Sequence, residues 1–106
     1  MNEKELSFKV DGNTYIYTAH VEDEGGNTKI YHTVRGPSGD HSMDWSPYTF
    51  PTEEDLSMWV RLGMPDRTAV NTNGPINREH LQKLAGGLNE SDLTFLKKWA
   101  GLLWRS

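Results

Sequence analysis

His20, His32, His41 and His80 are the side chains best suited to acid–base or metal chemistry in this chain. An imidazole titrates near neutral pH and can bind a metal through either ring nitrogen. Two of them one helical turn apart would form a ligand pair, but no HExxH or comparable spacing occurs. The chain has no cysteine, so thiolate ligands, cysteine nucleophiles and disulfides are excluded. Asp40-His41 can be read as the acid–base pair of a small hydrolase-like loop site. Such a site also needs a nucleophile held beside a base, and no residue is spaced for that role. The sequence therefore predicts no catalytic residue, no metal site and no cofactor, with the Asp40-His41 loop as the enzymatic alternative.

Positive charge offers a second chemistry. Residues 1–55 carry eleven acids against four bases, whereas residues 56–106 carry four acids against seven bases. The basic residues Arg78, Lys83, Lys97, Lys98 and Arg105 fall in a stretch patterned as helix, Gly-containing turn, helix, the coarse outline of a DNA reader. The second of those helices opens with Asn89-Glu90-Ser91-Asp92, which sets carboxylates where phosphates would approach. Gly36-Pro37-Ser38-Gly39 has the spacing of a nucleic-acid clamp loop but lacks its flanking helices. Nucleic-acid binding through the basic C-terminal residues is accordingly the alternative reading.

The elements that position these residues begin with strands. Leu6–Val10 alternates apolar and polar, Asp11-Gly12 is a strong hairpin signal, and 14–21 and 28–35 are rich in β-formers around a second turn at Gly25-Gly26. The first turn sets Phe8 opposite Tyr15 and Leu6 opposite Tyr17. The second sets Val21 opposite Ile30, Ala19 opposite His32 and Tyr17 opposite Val34. Two independently chosen turns thus collect one apolar face, which is the expected core. His32 falls on that face as a hydrogen-bonded structural histidine. The opposite face pairs His20 with Tyr31, Thr18 with Thr33 and Ile16 with Arg35. His20, Tyr31 and Arg35 are its candidate interaction residues, because exposed aromatic and Arg side chains anchor interfaces.

Beyond the meander, 36–42 reads as a turn-rich loop, and 43–50 as a short fourth strand or an aromatic flap. Thr52 is placed to cap a helix with acids at 53–55 in its first turn and an apolar face of Leu56, Trp59 and Val60, ending at Gly63 and Pro65. A long loop follows at 65–76. Asn77 caps a short helix bearing Leu81, Leu84 and Ala85, and Asn89 or Ser91 caps a last helix to about residue 104. Apolar residues on that helix spread over more than half its circumference, wider than the stripe one sheet covers. A second neighbour is needed, either the other helices or a partner chain. Trp99, Leu103 and Trp104 are the candidate contacts there.

Together these patterns predict a single α+β domain over 1–106, in two layers: an antiparallel meander of three or four strands, about 5–50, and three helices, about 52–105, on one sheet face. Eleven aromatic residues supply a core despite an apolar content of 35%. The N-terminus lacks the apolar run of a signal peptide, and no stretch approaches membrane-spanning length, so the expected location is cytoplasmic. The expected function is a small non-enzymatic interaction or accessory module that forms a homo-oligomer, a dimer, or binds another protein.

Overall fold

A computed structural model of the chain describes residues 2–65 and 86–105, and of Asn2, Leu103, Trp104 and Arg105 the backbone alone. Four strands, β1 (Asn2–Val10), β2 (Asn13–Glu24), β3 (Asn27–Gly36) and β4 (Gly39–Ser42), form one antiparallel sheet in chain order. Two helices follow, α1 (Glu53–Arg61) and α2 (Glu90–Arg105). The α+β class and N-terminal meander match expectation. Two helices stand among the described residues against three expected; the helix expected from Asn77, and the expected loop beyond Pro65, lie outside them.

Both long hairpins turn where predicted. Asp11 and Gly12 have φ of 51° and 83°, and Gly25 and Gly26 have 56° and 87°. This left-handed pair matches the twist of the flanking strands. The resulting register is Phe8↔Tyr15 and Leu6↔Tyr17 on one side of β2, and Tyr17↔Val34, Ala19↔His32 and Val21↔Ile30 on the other, as the turns require. A third tight turn at Pro37-Ser38 joins Gly36 to Gly39 and starts β4. The fourth strand is therefore at 39–42, within the stretch read as a loop, and not at 43–50. Its four residues are polar, as an exposed edge strand permits, so no apolar alternation marks it.

Residues 43–47 instead run beside β3. The amide of Met43 donates to the His32 carbonyl at 3.0 Å, and the amide of Ile30 donates to the Pro47 carbonyl at 2.8 Å. Met43 and Trp45 are buried with Phe8, Tyr17, Ala19 and Val34 of the sheet.

Thr52 caps α1 as a capping box: its hydroxyl accepts from the Asp55 amide at 3.1 Å, and the Asp55 carboxylate accepts from the Thr52 amide at 3.0 Å. At the other end, the amides of Gly63 and Met64 donate to the carbonyls of Val60 and Trp59, closing the helix in a Schellman arrangement. Asn89 caps α2 through its side chain on the Asp92 amide at 2.8 Å. Leu56, Trp59 and Val60 of α1 and Phe95, Leu96, Trp99 and Ala100 of α2 join the core formed by the apolar face of the sheet. Both described helices therefore cover the same face. No described element covers the other face of the sheet.

Candidate functional site

The uncovered face is built by strand alternation. Every second residue of β1, β2 and β3 points away from the helices, so the face carries Glu3, Glu5, Ser7 and Lys9, then Ile16, Thr18, His20 and Glu22, then Lys29, Tyr31, Thr33 and Arg35. His20 and Tyr31 stand directly opposite each other, and Arg35 lies on the same face opposite Ile16. All three expected sheet residues therefore share one surface. Tyr31 is 44% exposed, and Arg35 is more exposed still.

Each of the three is held by a carboxylate. One ring nitrogen of His20 lies 3.0 Å from Glu22 and the other 3.8 Å from Glu3. The Tyr31 hydroxyl donates to Glu24 at 2.6 Å, and this bond to a carboxylate, with the other acids nearby, raises the phenol's pKa above its usual value. Glu24 also faces Lys29 at 3.6 Å. Arg35 donates through Nε to Asp40 of β4 at 2.7 Å, which holds the Asp40 carboxyl below the usual carboxylate range. These pairs are exposed and contribute little to stability, but they fix side-chain directions. Between Glu3 and Glu5 on one side and Arg35 and Asp40 on the other lies a shallow depression of about 450 Å³, floored by Ile16, Thr18 and Thr33.

The acids of this face are not among the interaction residues expected from the sequence. The signal was available: extending the β1 alternation back past Leu6 puts Glu5 opposite Thr18 and Glu3 opposite His20. Asp40 required knowledge of β4.

The helical candidates divide differently. Trp99 is 0% exposed, and its indole donates to the Asp44 carbonyl at 2.6 Å. It belongs to this chain's own core and is not presented to a partner. Among the described residues, α2 packs against α1 and the 43–46 segment. Leu103 and Trp104 lie in the last turn of α2, with side chains outside the described atoms. Of the basic residues, Arg78 and Lys83 fall outside the described residues, as does the Arg105 side chain. Lys97 is exposed. Lys98 is engaged, 2.9 Å from Asp55 and 5.6 Å from the centre of the Trp45 ring.

Of the remaining histidines, His80 lies outside the described residues, and His32 and His41 have structural settings. His32 is buried, with Nδ1 2.6 Å from the Tyr17 hydroxyl and Nε2 donating to the Ser46 carbonyl at 2.8 Å. His41 lies 2.9 Å from the Ser38 hydroxyl on the exposed Pro37-Ser38 hairpin. That distance suits a nucleophile and its base, but the carboxylate of Asp40, which would orient the imidazole, is turned to Arg35. Among the described residues no three His, Asp or Glu side chains converge as metal ligands do, and no described helix is long and apolar enough to cross a membrane. Compared with known protein families, curated proteins and solved structures, the chain matches none.

Proposed function

We propose that this protein is a non-enzymatic interaction module whose uncovered sheet face docks a basic surface of a partner protein. The observation that carries the reading is the composition of that face: Tyr31 and His20, with Ile16 further along β2, share a regular four-stranded platform with Glu3, Glu5 and Glu22 and with Glu24 and Asp40, which pair with Lys29 and Arg35. Lysine and arginine side chains of a partner would find oriented carboxylates there, and Tyr31 a stacking surface. The same carboxylates disfavour nucleic acid on this face, and Lys98, one of the cations of the nucleic-acid alternative, is already paired within the chain. A Ser38–His41 pair on an exposed turn, without an orienting acid, supports an interaction role over a hydrolytic one.

The test is capture on the immobilised chain, with wild type beside a Glu5→Lys/Tyr31→Ala variant. Wild type should retain a protein that about 0.5 M salt releases, and the variant should lose it, since aromatic anchors of this kind contribute about 2 kcal/mol or more. Identical bands on both columns would reject the reading, and nucleic acid in the wild-type eluate would favour the alternative.

A further inference from the structure

We propose that β1 pairs antiparallel with β1 of a second copy of this chain, across a two-fold axis at Leu6, to make a continuous eight-stranded sheet. This goes beyond the docking face described above and uses a different surface, the outer edge of the sheet. β1 is nine residues long and, among the described residues, has a strand neighbour on one side only. Its two-residue turn makes Val10 and Asn13 a hydrogen-bonded pair. Alternation from there directs the backbone N–H and C=O groups of Lys9, Ser7, Glu5 and Glu3 outward. Among the described residues none hydrogen-bonds to those groups. An edge of this length with unpaired backbone groups is a template for another strand.

The side chains select both the occupant and the register. A dyad at Leu6 brings Glu3 opposite Lys9 of the second copy, Glu5 opposite Ser7, and Leu6 opposite Leu6, with each unlike pair formed twice. All the outward backbone groups find partners, giving about eight hydrogen bonds between chains. A slip of two residues one way sets Glu5 against Glu5. A slip the other way sets Glu3 against Asp11 and leaves fewer bonds. A slip of one residue would turn the two core faces to opposite sides. Leu6, partly buried at the rim of the core, is covered by its own symmetry mate in the favoured register. The dimer would carry both acidic depressions on the same side.

Sedimentation of the full chain over a concentration series tests this. Wild type should form a dimer. Ser7→Pro removes an outward donor without touching the β1–β2 ladder, so it should give a monomer with an unchanged far-ultraviolet spectrum. Glu3→Lys alone should weaken the dimer by about tenfold or more through two repulsive contacts, and adding Lys9→Glu to it should restore the dimer. If Ser7→Pro perturbs folding, the charge swap decides alone. A wild-type chain that stays monomeric at all concentrations would overturn the proposal, as would a dimer indifferent to the Ser7 and charge-swap variants.

Discussion

The Tyr17 hydroxyl and Nδ1 of His32 lie 2.6 Å apart within the buried face of the sheet. Nε2 of the same ring donates to the Ser46 carbonyl, and burial favours the neutral imidazole, in which Nδ1 accepts from the Tyr17 hydroxyl. Burial pushes the Tyr17 phenol up, so it remains a donor. Two adjacent strands and the 43–47 segment are thereby tied through one ring. Tyr17→Phe should leave Nδ1 without a partner and cost about 1–3 kcal/mol, measured by denaturant unfolding.

The same ring makes stability depend on pH. Burial holds the His32 pKa below its usual 6.5, against an opposing effect of the Ser46 hydrogen bond. The unfolded chain takes up a proton near that value, whereas the folded chain resists until the pH is lower. The contribution of His32 is therefore full above about pH 6.5 and is lost as pH falls through its folded value. Thermal unfolding of wild type should show this loss, and His32→Gln should flatten it. Equal slopes in the two proteins would contradict the assignment.

Asp55 connects the two helices. One oxygen accepts from the Thr52 amide and the other from Lys98 of α2. Burial alone would raise its pKa, but the Thr52 amide and Lys98 together hold it below the usual value. Its contribution is accordingly present above about pH 4 and lost as pH falls through the lowered folded value. Asp55→Ala removes half the capping box as well as the ion pair and should cost about 1–3 kcal/mol. Lys98→Ala should cost less than about 1 kcal/mol, because its ammonium is half exposed and screened. Unfolding curves that rank the two variants in the opposite order would show that leaving the Asp55 carboxylate without Lys98 costs more than losing the cap and the pair together.

Gly36 is required by packing. Continuing the β2–β3 register one residue past Ile16↔Arg35 places it opposite Tyr15. A Cβ at Gly36 would enter the Tyr15 ring, and that ring stacks on Phe8 at 5.6 Å. Gly36→Ala should therefore destabilise by about 1–3 kcal/mol through displacement of a core aromatic. Gly12→Ala, where nothing lies within 4 Å of the added Cβ, should cost only what its φ of 83° imposes.

How far the sequence alone could be read follows from the range of each interaction. Asp11-Gly12, Gly25-Gly26 and the Thr52–Asp55 box are local signals, and each produced its element. The face shared by His20, Tyr31 and Arg35 was legible because two turns set its register. β4 was hidden because its residues are polar and its pairing with β3 rests on a turn at Pro37-Ser38 that also reads as a loop. Trp99 was misplaced for a different reason. Its partner Asp44 lies 55 residues away in the chain, so no periodicity in α2 could show that the chain covers its own tryptophan.

The central claim, that the acidic sheet face is the docking surface, is tested most directly by a nitrogen-15 NMR titration of the full chain with a Lys/Arg-rich peptide at low salt. The account predicts amide shifts at Glu5, Thr18, His20, Tyr31 and Thr33 that fade as salt is added. Shifts confined to α1 and α2, or none at all, would contradict it.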